Sequence, residues 1–134
     1  MPEQPSCSCG DTSAQTGTKR IIFPCAGVAN VGQLTNLAAL QLNQEGYGAP
    51  SCVALLATGE EGLQAKIREA DEVIVIDGCP VECGRKIAEA QGITPDQHIV
   101  VTALGIKKSG SMEFSDDDVE TVVSAAWEGT GRKD

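Results

Sequence analysis

Six cysteines in a chain of 134 residues carry most of the chemistry this sequence can offer: Cys7, Cys9, Cys25, Cys52, Cys79 and Cys83. A thiolate is a strong nucleophile and a soft ligand, suited to zinc, Cu(I) or an iron–sulfur cluster. Cys79 and Cys83 enclose three residues, which falls within zinc-ligand spacing. Cys25, in Pro24-Cys25-Ala26-Gly27, directly follows one apolar run, and Cys79, in Asp77-Gly78-Cys79-Pro80, directly follows another. Cys7-Ser8-Cys9 lies in residues 1–18, a stretch rich in Ser, Thr, Gln, Gly and Pro that reads as a flexible tail. The pair is a candidate for additional metal ligands. Scattered cysteines also serve as small buried hydrophobes, so position must single out a site.

The elements that would position these thiols begin at Lys19. Arg20-Ile21-Ile22-Phe23 is a short apolar run closed by Pro24, as in a buried strand. Val31, Leu34, Ala38 and Leu42 recur at helical spacing, and Gly46 and Gly48 end that helix. Cys52 to Ala57 is a second apolar run, read as a strand. Leu63, Ile67 and Ala70 mark a second helix. Val73-Ile74-Val75-Ile76 is continuous and β-branched, as expected of a strand covered on both faces. Pro80 suits the first residue of a third helix, which carries Val81, Ile87 and Ala88 and stops at Gly92. His98 to Leu104 reads as the fourth strand. Ser115 and Asp116 to Asp118 open a last helix that ends at Gly129.

Strict alternation of strand and helix predicts one domain over residues 19–134, a three-layer α/β/α fold around a four-stranded parallel sheet. The expected strand order is 2-1-3-4, Rossmann- or flavodoxin-like, with ligands beyond the carboxyl ends of the strands where the order reverses. That places Cys25 and Cys79 at one edge, with Cys83 about one helical turn from Cys79. Cys52 is ambiguous. At the start of a strand spanning 52–57 it would lie roughly 15 Å from the other thiols; only a strand ending near Cys52 brings it to them. His98, the single histidine, is expected at the amino edge, away from the cysteines.

The formal net charge of −9 argues against nucleic-acid or anionic-membrane partners, which require clustered Lys and Arg. No apolar run reaches the roughly 20 residues of a membrane span, and the first residues lack a signal-peptide pattern. The expectation is a cytoplasmic protein, whose thiols stay reduced for metal or chemistry.

Several stretches resemble the DGC-domain family, named for an Asp-Gly-Cys motif. They are Pro24-Cys25-Ala26-Gly27, Asn30 to Asn36, Ile76-Asp77-Gly78-Cys79-Pro80-Val81-Glu82-Cys83 and His98 to Ile106. The resemblance covers roughly Ile21 to Ile106 and implies four shared cysteines that bind zinc, here Cys25, Cys52, Cys79 and Cys83. This is what brings Cys52 into the set. One ion per chain is expected, with Asp77, Gly78, Gly27 and Arg85 around the ligands. Four thiolates would close a structural zinc site, whereas three would leave a position open for chemistry.

Two other readings follow from the same residues. Cys79 and Arg85 are separated by five residues between a strand and a helix, the layout of the oxyanion-cradling loop of cysteine phosphatases and arsenate reductases. In such a loop Cys79 would be the nucleophile and Arg85 the oxyanion clamp. Alternatively, the Cys7/Cys9 tail would serve a carrier or sensor of metal or sulfur.

Overall fold

The β-branched run at Val73 to Ile76 occupies the middle of the sheet, where both faces are covered. The computed structural model describes residues 17–133; Cys7 and Cys9 lie outside the described residues. The elements are β1 (Arg20–Pro24), α1 (Asn30–Gln44), β2 (Ala49–Pro50), α2 (Val53–Thr58), α3 (Glu61–Glu69), β3 (Glu72–Asp77), α4 (Cys83–Ala90), β4 (Gln97–Val100), a 3-10 turn (Val101–Leu104) and α5 (Asp116–Glu128). The four strands are parallel and lie in the order β2-β1-β3-β4, as the alternation predicts.

Successive strand residues point to opposite faces, and each face has its own core. Ile22, Ile74, Ile76 and Ile99 pack with Val31, Leu34, Ala38 and Leu42 of α1 and with Val119, Val122 and Val123 of α5. Ile21, Phe23, Val73 and Val75 pack against Leu56 of α2, Leu63 of α3 and Ala88 of α4. Full burial of each large aliphatic side chain stabilises by about 1.5–3 kcal/mol, so the near-absence of aromatics is offset by Ile, Val and Leu on two faces.

Three elements differ from the expectation. Cys52 to Ala57 is not a strand: β2 is only Ala49–Pro50, and residues 53–58 form α2, with Cys52 as its N-cap. A proline is tolerated in β2 because this is an edge strand. The third predicted helix starts at Cys83 and not at Pro80; Cys79 to Glu82 is a turn closed by Glu82 N–H on the Cys79 carbonyl at 3.1 Å. Val81 is therefore half exposed and outside the core. The fourth strand stops at Val100, and Val101 to Leu104 coils into the 3-10 turn that ends at Gly105.

The amino edge of the sheet is closed by a polar network. Glu72 accepts from Arg20 Nε at 2.7 Å and from Arg132, while Arg20 lies over the Tyr47 ring at 4.4 Å. Tyr47 Oη donates to the buried Gln97 carbonyl and to Ala126 O. The last residues run alongside β4, with His98 N–H on Gly131 O at 2.9 Å and Lys133 N–H on Asp96 O at 3.0 Å.

Hydrogen bonding to Arg132, aided by Arg20, outweighs partial burial and holds the Glu72 carboxyl below its ordinary value of 4.5. A carboxyl lowered on folding stabilises above its unfolded value, and that contribution disappears as pH falls through the folded one. Glu72→Gln should therefore lower stability by about 1 kcal/mol at pH 7. In thermal unfolding across a pH series, the gap between this variant and the wild type should narrow as pH drops below the usual carboxylate range.

Candidate thiol site

The described cysteines all fall at the carboxyl end of the sheet. Cys25 follows β1, and its N–H continues the parallel ladder onto Ile76 O at 2.9 Å. Cys52 follows β2 after Ser51, whose N–H is bonded to Ile22 O at 2.7 Å. Cys79 follows β3, and Cys83 opens α4. Cys52 reaches this edge because the strand before it is so short, which resolves the ambiguity left by the apolar run.

Two adjoining clefts share Cys25 as a common wall. One, of about 330 Å³, is lined by Cys25, Cys79 and Cys83 together with Gly27, Asp77 and Lys108. The other, of about 560 Å³, holds Cys25 and Cys52 among Pro24, Leu40, Pro50 and Val53. Cys83 is exposed and the other three cysteines are partly buried; all four are free thiols.

The loops are held by a few specific groups. Thr35 is fully buried; its hydroxyl donates to Gly32 O at 2.6 Å and accepts from Ala26 N–H at 3.0 Å, 3.8 Å from Cys25 Sγ. Ala26 has φ 53° and Glu82 φ 57°; among the described residues these are the non-glycine positions in the left-handed region. Each such residue costs about 1–2 kcal/mol, and they flank Cys25 and Cys83. Gly78 is required for packing: a Cβ there would stand 2.9 Å from Gly32 N and from Val31 C, so α1 meets the sheet end only over a glycine.

Asp77 organises the α4 side. Its carboxylate is 1% exposed, and Oδ1 accepts from Gly84 N–H at 2.7 Å. Oδ2 accepts from Arg85 N–H at 3.1 Å and lies 2.8 Å from His98 Nε2. Gly84 permits this approach, since a Cβ would stand 2.8 Å from Oδ1. His98 therefore does not stand apart from the site, as its place in the sequence suggested. It lies in β4 beside Val75 of β3, and its ring reaches Asp77.

Arg85 is also placed differently from the expectation. Its guanidinium pairs with Glu82 and with Glu89, the latter at 3.2 Å, and Glu82 is the main cause of its raised pKa. The N–H groups of Gly84 and Arg85, in the first turn of α4, are bonded to Asp77. The oxyanion cradle inferred from the Cys79–Arg85 spacing thus has two of its helix donors and its arginine engaged elsewhere. Among the described residues, the cation that meets a thiol is Lys108, with Nζ 3.6 Å from Cys79 Sγ. Sequence reasoning missed Lys108, and it placed Asn30 and Thr35 in a family-like stretch without giving either a role; nothing local marks Lys108 apart from any other surface lysine.

The donor chemistry suits a thiophilic ion such as zinc. The thiols share an edge without converging on one point: among the described residues no three His, Cys, Asp or Glu side chains are grouped closely enough to hold an ion.

The sequence profile of the DGC domain matches residues 21–126, most of the chain. The chain belongs to the DGC domain family. In this DGC domain, Asp77-Gly78-Cys79 supplies the α4 anchor, the α1 packing point and a cleft thiol in succession. The chain is also similar to the "Anaerobic and virulence modulator AnvM" of Pseudomonas aeruginosa, 27% identical over 100 residues, which cover 75% of this chain and 76% of that protein. No solved structure matches the chain. No helix among the described residues is long and apolar enough to cross a membrane.

Replacing Asp77 by Ala should leave two N–H groups of α4 and the His98 ring without their acceptor. Loss of about 1–3 kcal/mol is expected in denaturant unfolding. Site-resolved alkylation should show Cys83 reacting faster while Cys52, at the N-cap of α2, keeps its rate. Equal acceleration at both would mean that Asp77 supports the whole fold and not the α4 end in particular.

Proposed function

We propose that this DGC domain is a metal-binding regulatory protein that takes up one zinc ion through Cys25, Cys52, Cys79 and Cys83. The observation that supports this most is the arrival of thiols after three adjacent strands, with a fourth opening the next helix. Such a set has the softness and number that tetrahedral zinc requires. Because the sulfurs stand in two adjoining clefts, uptake would draw the three strand-end loops and α4 together, coupling metal binding to local ordering. Zinc, when bound, would supply a rigid cross-link between those loops. A modulator role is suggested by the name of the Pseudomonas aeruginosa relative. A reducing compartment, the cytoplasm, would keep the thiols available.

Cys7 and Cys9 are proposed as further ligands, or as a pair that passes the ion on. The phosphatase-like reading is less well supported, since Arg85 and the α4 N–H groups have other partners.

Metal analysis of the purified full chain checks the proposal. About one zinc per chain is expected, falling sharply in Cys79→Ser and Cys83→Ser. Cys52→Ser separates a closed site from an open one: retained zinc with a labile extra ligand would mean three cysteines suffice. Reduced protein that takes up no zinc when it is supplied would refute the reading.

A further inference from the structure

Asn30, the first residue of α1, is 6% exposed, and its side chain reaches across the chain to another loop. Its Nδ2 donates to Lys107 O at 2.9 Å, and its Oδ1 accepts from Ser109 N–H at 2.8 Å. These bonds grip the backbone on both sides of Lys108. A buried amide with both ends bonded to one loop fixes that loop's position, because releasing either bond would leave a desolvated polar group unpaired. The gripped residue is the one whose ammonium lies 3.6 Å from Cys79 Sγ. Lys108 also lines the cleft that holds Cys25, Cys79 and Cys83. The other charged groups of that cleft have partners of their own: Glu82 pairs with Arg85, and Asp77 with His98 and the α4 backbone.

We propose that Lys108, held over Cys79 by Asn30, is the positioning cation of the thiol cleft and offsets the negative charge of the clustered, metal-bound sulfurs. Its consequence for the metal rests on the zinc reading above; its pairing with Cys79 does not. Four thiolates around one zinc ion leave two net negative charges, in a chain whose own net charge is −9. An N–H donor and a positive charge at one sulfur stabilise that state, as groups around metal ligands commonly do. Arg85 cannot take the part while it is paired with Glu82 and Glu89.

The test uses full-length, reduced protein and the variants Lys108→Met, Lys108→Arg and Asn30→Ala. Zinc transfer to a colorimetric chelator should be about ten-fold faster in Lys108→Met and Asn30→Ala, and close to wild type in Lys108→Arg. A second measurement uses metal-free protein: alkylation of Cys79 by iodoacetate and by iodoacetamide, followed by mass spectrometry. The positive charge should favour the anionic reagent, and Lys108→Met should lower the iodoacetate-to-iodoacetamide ratio at Cys79 by about three-fold, an effect that added salt erases. Lys108→Arg should preserve the ratio. An unchanged ratio in Lys108→Met overturns the proposal. A changed ratio in a protein that takes up no zinc upholds the Lys108–Cys79 pairing and removes the metal reading instead. Should Asn30→Ala fail to fold, Lys108→Met still decides, since it replaces an exposed side chain.

Discussion

A single buried carboxylate ties the sheet to the helix that brings Cys83 to the strand-end thiol cleft. Asp77 ends β3, faces no water, and is bonded to two backbone N–H groups of α4 and to the ring of His98. A carboxylate in such surroundings is tolerable only when its oxygens are fully engaged. The arrangement also satisfies two of the four donors that open a helix. Cys79 follows this anchor directly in the chain, after Gly78, and Cys83 precedes the two N–H groups that it holds, so both stand beside one acid.

Around that anchor, close packing needs residues with no side chain at all. Gly84 admits the Asp77 carboxylate, Gly78 admits the start of α1, and Gly32 lies against the Gly27 carbonyl, where a Cβ would stand 2.3 Å away. Left-handed backbone at Ala26 and Glu82 turns the chain sharply just after Cys25 and just before Cys83. Strain of this kind persists where neighbouring contacts over-determine the loop. Here those contacts are Thr35 on one side and Asp77 on the other. The opposite end of the sheet is built differently, from ion pairs and an arginine over a tyrosine ring, and carries no thiol among the described residues. The two ends of the strands thus divide the work: one closes the fold, and the other presents sulfur.

Much of the fold was legible because the pattern repeats. Apolar runs alternating with helical spacing imply parallel strands, and parallel strands imply a shared carboxyl edge. The misreadings come from places where a local signal was short. A strand of two residues, Ala49–Pro50, has no period to detect, while the six-residue α2 has an apolar stretch that fits a strand as well as a helix. Pro80 suits a helix start by its backbone, yet the turn from Cys79 to Glu82 displaces that start to Cys83. The 3-10 turn at Val101 to Leu104 is apolar because it continues the buried edge of β4, not because it is strand.

For the thiols, the sequence by itself determined the donor type, the Cys79–Cys83 spacing and, through the alternation of elements, the meeting of Cys25 and Cys79 at one edge. These properties depend on residue order and on periods of two and 3.6, which are local. Tertiary structure decided the rest: that Cys52 reaches the same edge, that His98 turns to Asp77, that Lys108 comes to Cys79, and that Asn30 holds the backbone beside Lys108. Those contacts join residues as many as 79 positions apart, as when Asn30 grips Ser109. A side chain's partner at that distance is set by which loops the packed layers bring together, and no local pattern encodes it.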